Sequence, residues 1–226
     1  MTTERIIQAV LLIVGSYLLG SISIAYLIGR WLGAKDLRRY GSGSLGGSTV
    51  YEHVARWAVI PVALFDIFKA AIPTWLGLEL GLGAPMAVAA GMATAAGHNW
   101  SIFLCFTGGR GMGTFAGVLL IVFPWGLVWL VAPLALGWRL GDSAPWLLIS
   151  LVTMPAFSYL IGGPQIVLPL AAAMLLMTLL KRLEANRRPL PSSGPKRREV
   201  LLRRLIFDRD IADHQDWLGQ APAESD

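Results

Sequence analysis

The chain has 226 residues, of which 55% are hydrophobic and only 15% charged, and because soluble domains usually carry about 25% charged residues, this composition argues against a soluble globular protein. The net charge of +5 does not indicate nucleic-acid binding, because the basic residues flank apolar segments, where anionic lipid headgroups or a cytoplasmic location explain them. The single cysteine, Cys105, excludes an internal disulfide framework, and we infer no metal site and no cofactor from the sequence.

Long apolar segments predict membrane-spanning helices along most of the chain. A helix needs about 20 apolar residues to cross the hydrocarbon core of a bilayer. The segments of this kind are residues 6–28, 57–78, 80–97, 112–138 and 143–180. Pro124 can divide the fourth segment into two short helices, and the turn signal Gly162-Gly163-Pro164 divides the fifth, which is too long for one crossing. No convincing cleavage site follows the first segment, so we expect it to stay as a membrane anchor.

The charges between these segments predict the orientation of the chain. Residues 29–56 hold five basic and two acidic side chains, and residues 181–210 hold ten basic and four acidic ones. Both stretches should be cytoplasmic by the positive-inside tendency, whereas the connection near Glu79 has no basic residue and should be external. An external N-terminus and a cytoplasmic C-terminus require an odd number of crossings. We therefore predict an all-α integral membrane protein, a bundle of about seven transmembrane helices, some of them short.

The distribution of charge also suggests two regions. Residues 1–181 form the predicted transmembrane domain, and residues 182–226 form a basic cytoplasmic tail. In the tail, residues 189–195 are rich in proline and serine and predict a flexible linker. Residues 199–207 predict a basic amphipathic helix that lies on the membrane surface.

Residues 36–49, which we call loop one, have the composition of an anion-binding loop. Four glycines and four hydroxyl residues, among them Ser42 and Ser44, lie within the nine positions 41–49. Glycine lets backbone N–H groups approach an anion closely, and serine adds short hydrogen-bond donors. Arg38 can bind a phosphate through two parallel hydrogen bonds. A flexible surface loop is the alternative interpretation of the same residues.

Residues 106–114, which we call loop two, lead directly into the next apolar segment. A glycine-rich turn at the N-terminus of a helix favours an anion, because the helix dipole and free N–H groups point at it. Gly108-Gly109-Arg110-Gly111 provides such a turn with an added positive charge. The preceding motif contains His98, which can be a base, an orienting group or a structural residue. One such loop is a weak signal, but the predicted topology places both loops on one side of the membrane.

Charged and small residues inside the apolar segments predict helix contacts. Asp66 and Lys69 lie three residues apart in the second segment, a spacing at which side chains pair on one helix face. Buried charges in membranes are costly and often functional, but a structural ion pair that fixes helix packing is the favoured interpretation of these two. Several glycines predict sites of close helix packing, namely Gly15, Gly20, Gly91 and Gly97.

Six motifs together resemble those of the membrane-bound glycerol-3-phosphate acyltransferases that use acyl phosphate as donor (PlsY-type). The motifs, in the order and spacing of that family, are Gly20-Ser21-Ile22, Asp36-x-Arg38, Gly41-Ser42-Gly43, Asp66-x-x-Lys69, Gly97-His98-Asn99-Trp100 and Phe106-x-Gly108-Gly109-Arg110-Gly111. The resemblance implies a seven-helix fold in the bacterial inner membrane, with an active site that faces the cytoplasm. It also implies transfer of a fatty acyl group from acyl phosphate to the first-position hydroxyl of glycerol 3-phosphate, which yields lysophosphatidic acid and phosphate. The expected partners are these two substrates and membrane lipids, without nucleic acid.

The resemblance also implies roles for individual residues. The expected catalytic residues are Arg38, Ser42 and His98. The expected ligands of substrate phosphate are Ser44, Gly108, Gly109, Arg110 and Gly111, and the expected supporting residues are Asp66, Lys69 and Asn99. Acyl phosphate is already an activated donor, so we expect direct attack by the acceptor hydroxyl without a covalent enzyme intermediate. The base is either His98 or the phosphate of the acceptor.

Several positions depart from the pattern of that family. Arg110 stands where the family usually has a lysine, and Thr107 replaces another lysine just before it. Ser44 replaces an asparagine, and Glu52 replaces an arginine. The region after the last apolar segment lacks the usual histidine, and Asn186 is a shifted counterpart of the usual asparagine. Two alternatives therefore stay open, a noncatalytic homologue that binds anionic lipid or assists a lipid-synthesis complex, and a transporter of a phosphorylated solute.

Overall fold

A computed structural model of the chain describes residues 2–33, 36–40, 43–213 and 216. In this part of the chain every regular element is a helix, apart from one isolated bridge between Ser101 and Thr107. The α-helices are α1 (Thr3–Gly20), α2 (Ile24–Gly33), α3 (Gly47–His53), α4 (Val59–Glu79), α5 (Ala84–Asn99), α6 (Met112–Val122), α7 (Pro124–Arg139), α8 (Ala144–Leu160), α9 (Val167–Glu184) and α10 (Gly194–Phe207). Short 3₁₀ turns lie at Leu37–Arg39, Arg56–Ala58, Ile102–Leu104 and Ala185–Arg187.

Two predicted breaks are confirmed. Helix α6 ends at Val122, and Pro124 begins α7, a position where proline is tolerated because its missing N–H would lack a partner anyway. The long segment after residue 143 divides into α8 and α9, with Gly162 at a φ of +67° in the turn between them. Glycine adopts this left-handed conformation without steric cost. The second and third apolar segments form α4 and α5, as predicted.

The first apolar segment is not one continuous helix, which corrects the prediction for residues 6–28. Helix α1 ends at Gly20, and α2 begins at Ile24. Side chains from elsewhere in the chain bind the carbonyls that the break releases. Ser101 donates its hydroxyl to the carbonyl of Ser21 at 2.6 Å, and the Lys69 ammonium donates to the carbonyl of Ile22 at 3.1 Å. The break therefore places polar backbone groups beside the charged residues of α4.

Glycines bring the helices into close contact, as predicted for three of the four positions. A Cβ atom at Gly20 would collide with the backbone of Thr94 in α5, and one at Gly97 would collide with the backbone of α1. A Cβ at Gly91 would collide with the side chain of Thr74 in α4. The prediction for Gly15 is wrong, because no atom lies within 4 Å of a Cβ built there. The glycines of α5 therefore allow α1 and α4 to approach the helix closely.

The outer faces of the helices are apolar, as expected for a protein in contact with lipid. By length and composition, Thr3–Gly33 and Arg56–Glu79 qualify as candidate membrane spans among the residues described. Exposed side chains on these two segments include Leu11, Phe68 and Trp75. A buried apolar core is formed by residues of all the helices from α4 to α9, among them Phe115 and Met154. The molecule therefore carries large hydrophobic side chains on both its inside and its outside.

Helices α1 and α4–α9 pack as a bundle in which successive helices alternate in direction. Arg110, just before α6, donates to the carbonyl of Lys181 near the end of α9 at 2.9 Å. Arg182 donates to the carbonyl of Ala144, the first residue of α8, at 2.7 Å. The starts of α6 and α8 and the end of α9 therefore lie together. We call this the loop end, because loops one and two also lie there.

Candidate active site

Loops one and two are in direct contact at the loop end. The backbone N–H of Leu45 in loop one donates to the carbonyl of Gly108 in loop two at 3.2 Å. Asn186, in the turn after α9, joins the same segments. Its amide nitrogen donates to the carbonyls of Gly43 at 2.9 Å and Gly108 at 3.1 Å, and its amide oxygen accepts from the N–H of Gly108 at 3.2 Å. The two predicted anion-binding loops thus form one continuous surface.

The turn that holds Asn186 has an unusual backbone. Ala185, Asn186 and Arg187 all have positive φ angles, of 44°, 52° and 63°. Residues other than glycine rarely adopt this region, and asparagine tolerates it best. The turn directs the Asn186 amide back towards the loops, whereas the side chain of Arg187 is exposed. The sequence identified Asn186 only as a shifted counterpart of a family residue, and the structure places it between both loops.

Asp66, Lys69 and His98 form a buried cluster beneath the loops. The predicted pair of Asp66 and Lys69 is confirmed, with 2.7 Å between the carboxylate and the ammonium. Nδ1 of His98 lies 3.0 Å from the Lys69 ammonium and 3.4 Å from Asp66 Oδ1. All three side chains are buried. Because the lysine also donates to the backbone at the α1–α2 break, this cluster connects α1, α4 and α5.

Loop two packs tightly on His98. The N–H of Gly109 donates to the carbonyl of His98 at 3.0 Å. A Cβ at Gly109 would collide with Nε2 of the same histidine and would lie 2.8 Å from the carbonyl of Leu45. A Cβ at Gly108 would collide with the carbonyls of His98 and Asn99. Only glycine fits at these two positions, so the loop backbone comes directly over the imidazole.

The N-terminus of α6 offers unpaired polar groups to a ligand. Gly111 caps the helix with a φ of +78°, so the first N–H groups of α6 belong to the last residues of loop two. The side chain of Asn99 is fully buried beside Gly111, and neither its oxygen nor its nitrogen has a hydrogen-bond partner among the residues described. A buried amide without partners costs free energy. The helix dipole and the first N–H groups of α6 make the N-terminus of this helix suited to an anion.

Loop one places Arg38 beside an acidic residue. Its guanidinium forms a double hydrogen bond with the carboxylate of Asp36, with distances of 2.9 Å from Nε to Oδ1 and 2.6 Å from Nη2 to Oδ2. The hydrogen bond from Arg38 lowers the pKa of the Asp36 carboxyl below its ordinary value, and the same bond raises the pKa of Arg38. Ser44 is buried, and its carbonyl accepts from the hydroxyl of Thr49 at 2.7 Å. Ser42, the other predicted serine, lies outside the described residues.

Arg110 contacts residues that the sequence did not identify as part of the site. Besides its bond to the carbonyl of Lys181, it donates from Nε to the carboxylate of Asp208 at 2.8 Å. The side chain of Lys181 is fully buried, pairs with Glu184 at 2.8 Å and lies over the ring of Trp100. Arg110 and Arg38 thus each bind a carboxylate, one from the tail and one from loop one.

A cavity of about 530 Å³ opens beside Arg110. Its lining includes the polar residues Ser48, Arg110, Arg182, Asp142 and Asp208 and the apolar residues Met112, Leu134, Trp138, Leu147 and Phe207. A cavity lined by both charged and apolar side chains suits an amphiphile with an anionic head and a hydrocarbon chain. In the described part of the chain, no group of three or more His, Cys, Asp or Glu side chains is placed to hold a metal ion.

The chain is similar to proteins of one family over most of its length. The family model described as glycerol-3-phosphate acyltransferase matches residues 10–190. A glycerol-3-phosphate acyltransferase of Dehalococcoides mccartyi is 34% identical over 224 residues, which cover 94% of each chain. One from a Synechococcus species is 32% identical over 84% of this chain and 96% of its own.

Two solved structures share the fold. They are crystal structures of PlsY, an integral membrane glycerol 3-phosphate acyltransferase, in its glycerol 3-phosphate form and in its lysophosphatidic acid form. The first is 27% identical, with a TM-score of 0.70, and covers 80% of this chain and 91% of its own. The second is 26% identical, with a TM-score of 0.68. Residues beyond 190 lie outside the family match.

Proposed function

The chain belongs to the glycerol-3-phosphate acyltransferase family, and from this membership we propose the donor, the site and the orientation of the enzyme. It is a PlsY-type membrane enzyme of phospholipid synthesis that transfers an acyl group to glycerol 3-phosphate. The noncatalytic alternative is not favoured. We infer that the donor is acyl phosphate and that the first-position hydroxyl is the acceptor, so that the products are lysophosphatidic acid and inorganic phosphate.

The contact between the two loops is the observation that supports this site most strongly. The side-chain amide of Asn186 donates to the carbonyls of both Gly43 and Gly108, which holds the two glycine-rich segments next to each other. The reaction needs two phosphate-bearing substrates held side by side, and each loop has the composition to bind one. We assign the phosphate of glycerol 3-phosphate to Arg110 and the start of α6. We assign the acyl phosphate head to Arg38 in loop one.

The proposed reaction is a direct displacement at the acyl carbon. The hydroxyl oxygen attacks the carbonyl carbon, the bond from that carbon to the phosphate oxygen breaks, and inorganic phosphate leaves. Backbone N–H groups of the loops, with Ser42, stabilise the negative charge that develops on the carbonyl oxygen. Arg38 and Arg110 offset the charge of the two phosphates.

We assign the proton of the attacking hydroxyl to a substrate phosphate oxygen and not to His98. Nδ1 of His98 faces Lys69 and Asp66, and Nε2 faces the backbone of Gly109. Neither ring nitrogen is directed into open space, so the histidine supports loop two from below. Of the two candidate bases that the sequence left open, we therefore propose the phosphate.

We also propose seven membrane crossings, made by α1 and α4–α9, in a bacterial inner membrane. The alternating directions of these helices support an odd number, with the N-terminus and the loop end on opposite sides. The loop end holds the most basic stretches of the chain, within residues 29–56 and 181–210. By the positive-inside tendency this end, and with it the active site, faces the cytoplasm.

A donor assay tests the proposed function. The protein is purified in detergent and given labelled glycerol 3-phosphate with palmitoyl phosphate, with an acyl-CoA or with an acylated carrier protein. Of the three donors, we expect only palmitoyl phosphate to yield labelled lysophosphatidic acid. Turnover with only one of the other donors would contradict the proposed donor. The absence of turnover with every donor would contradict the acyltransferase activity.

Two arginine variants test the phosphate assignments. Arg110→Ala should raise the KM for glycerol 3-phosphate, and Arg38→Ala should raise the KM for acyl phosphate, each by at least about tenfold, because a charge-assisted hydrogen bond to phosphate is lost. Arg139→Ala is a matched control, since Arg139 is an exposed arginine at the end of α7. Unchanged KM values in both arginine variants would contradict the assignment.

A further inference from the structure

The chain beyond the family match is anchored to the bundle by two buried arginines. Arg204 of α10 is only 2% exposed and forms a double hydrogen bond with the carboxylate of Asp210, at 2.6 and 2.8 Å. It also donates to the carbonyl of Leu183 at 3.2 Å. Arg182 of α9, also 2% exposed, donates to the carbonyl of Leu205 at 2.7 Å near the end of α10. Buried charges with several hydrogen bonds each make this a built-in contact between α9 and α10.

The anchored helix delivers one carboxylate to the active site. Asp208, directly after α10, has a φ of 55°, a left-handed conformation that aspartate tolerates better than most residues. Its side chain points to Arg110 and accepts from Nε at 2.8 Å, while the carbonyl of Lys181 accepts from Nη1. The guanidinium is thus held at two of its three nitrogens. Its third nitrogen, Nη2, has no hydrogen-bond partner among the residues described.

We propose that Asp208 is a positioning residue for Arg110, so that the C-terminal segment completes the phosphate site from outside the family match. This proposal rests on the proposed binding of the acceptor phosphate by Arg110. An arginine has many rotamers, and fixing them beforehand removes an entropic cost from substrate binding. With Nε and Nη1 occupied, Nη2 is presented to the phosphate. The tail contact therefore supplies order at the position where the family usually has a lysine.

A competing carboxylate would have the opposite effect. If Asp208 occupied the phosphate position, it would have to leave before the substrate binds, and its removal would strengthen binding. The clamp of Arg182 and Arg204 on α10 opposes such a movement. Moreover, Asp208 accepts from Nε alone, so neither hydrogen of Nη2 is bound by a described residue. The two roles therefore predict opposite changes in the KM for glycerol 3-phosphate.

The test is the kinetics of Asp208→Asn in the full-length protein. Asparagine keeps the size of the side chain and tolerates the left-handed backbone, so the substitution removes mainly the charge. We expect the KM for glycerol 3-phosphate to rise about tenfold, the usual effect of weakening one charge-assisted hydrogen bond, with kcat changed less than about twofold. In an Arg110→Ala background the same substitution should have no further effect, because the group that it positions is gone.

Glu199→Gln is the matched control. It removes a carboxylate from the same tail, but from the partly exposed Arg203 and not from Arg110 or from the Arg204 anchor. We expect an unchanged KM. An equal rise in KM in this control would show that a general change in the tail is responsible. A fall or no change in the KM of Asp208→Asn would exclude positioning by Asp208. Either result overturns the proposal. An unchanged KM in Arg110→Ala would instead contradict the underlying phosphate assignment.

Discussion

Replacing Asn186 by glycine should reduce activity without unfolding the protein. Glycine accepts the left-handed φ of 52° at this position, so the change removes the side chain without adding backbone strain. Three hydrogen bonds to Gly43 and Gly108 are lost. Each hydrogen bond contributes about 1 kcal/mol net, and water at this half-buried position replaces part of that contribution. We therefore expect the transition state to lose about 2 kcal/mol of stabilisation, which lowers kcat/KM about 30-fold.

Asn186→Asp should be worse than the glycine variant. The carboxylate would keep the acceptor for the N–H of Gly108 but would place an oxygen against the carbonyls of Gly43 and Gly108, where the amide nitrogen now donates. Repulsion adds to the lost bonds, so we expect a reduction of more than about 100-fold.

Initial rates with palmitoyl phosphate and glycerol 3-phosphate, together with unfolding temperatures in detergent, measure both Asn186 variants. Arg187→Gly is the matched control, because Arg187 has a similar backbone conformation but an exposed side chain. Its kcat/KM should stay within about twofold of the wild type. A fully active Asn186→Gly variant, or an equal loss in the control, would refute the role of the amide in joining the loops.

Three further changes test other parts of the site. Gly109→Ala should lower kcat/KM at least about tenfold, because its methyl group would collide with the buried imidazole, whereas Gly15→Ala, which contacts nothing within 4 Å, should not lower it. Asp66→Asn and Lys69→Met should each lower the free energy of unfolding by about 3 kcal/mol, since each leaves a buried partner uncompensated, and the double variant should lose less than the sum. Because the pKa of Asp36 is lowered, its ion pair with Arg38 is complete at the ordinary carboxyl pKa and above, and is lost only as the pH falls through the lowered value. Titration of Asp36 should therefore leave the KM for acyl phosphate unchanged down to about pH 4.

Each of these has a contradicting result. An active Gly109→Ala enzyme would show that loop two does not need its close approach to the histidine. Strictly additive losses in the Asp66 and Lys69 variants would mean that the two side chains are not coupled. A KM that rises as the pH falls from neutral in the wild type, but not in Asp36→Asn, would mean that the carboxyl titrates near its ordinary value or above it.

Local sequence signals predicted two of the helix ends and turns correctly. The break at Pro124 and the turn at Gly162 were predictable because the missing N–H of proline and the backbone freedom of glycine act within a few residues. The break after Gly20 was not predictable in this way. The carbonyls it releases are bound by Ser101 and Lys69, which are 80 and 47 residues away from their partners in the chain.

The same distinction applies to the active site. The composition of the two loops identified Arg38 and Arg110, because glycine and arginine carry their chemistry locally. Asp208 was missed because its role depends on a contact with an arginine 98 residues away. Its only local signal was an acidic residue within a basic tail. The tail was predicted as a separate region from residue 182, and that boundary stays a prediction, although α10 packs on α8 and α9.

A structure of the protein with glycerol 3-phosphate bound, solved without the acyl donor, tests the shared site of the two loops most directly. We predict that the phosphate lies within hydrogen-bond distance of Arg110 and of backbone N–H groups at residues 110–112. The first-position hydroxyl should point towards loop one, with Asn186 still bridging Gly43 and Gly108. A phosphate bound away from loop two, or loops that separate when the substrate binds, would contradict a common reaction centre.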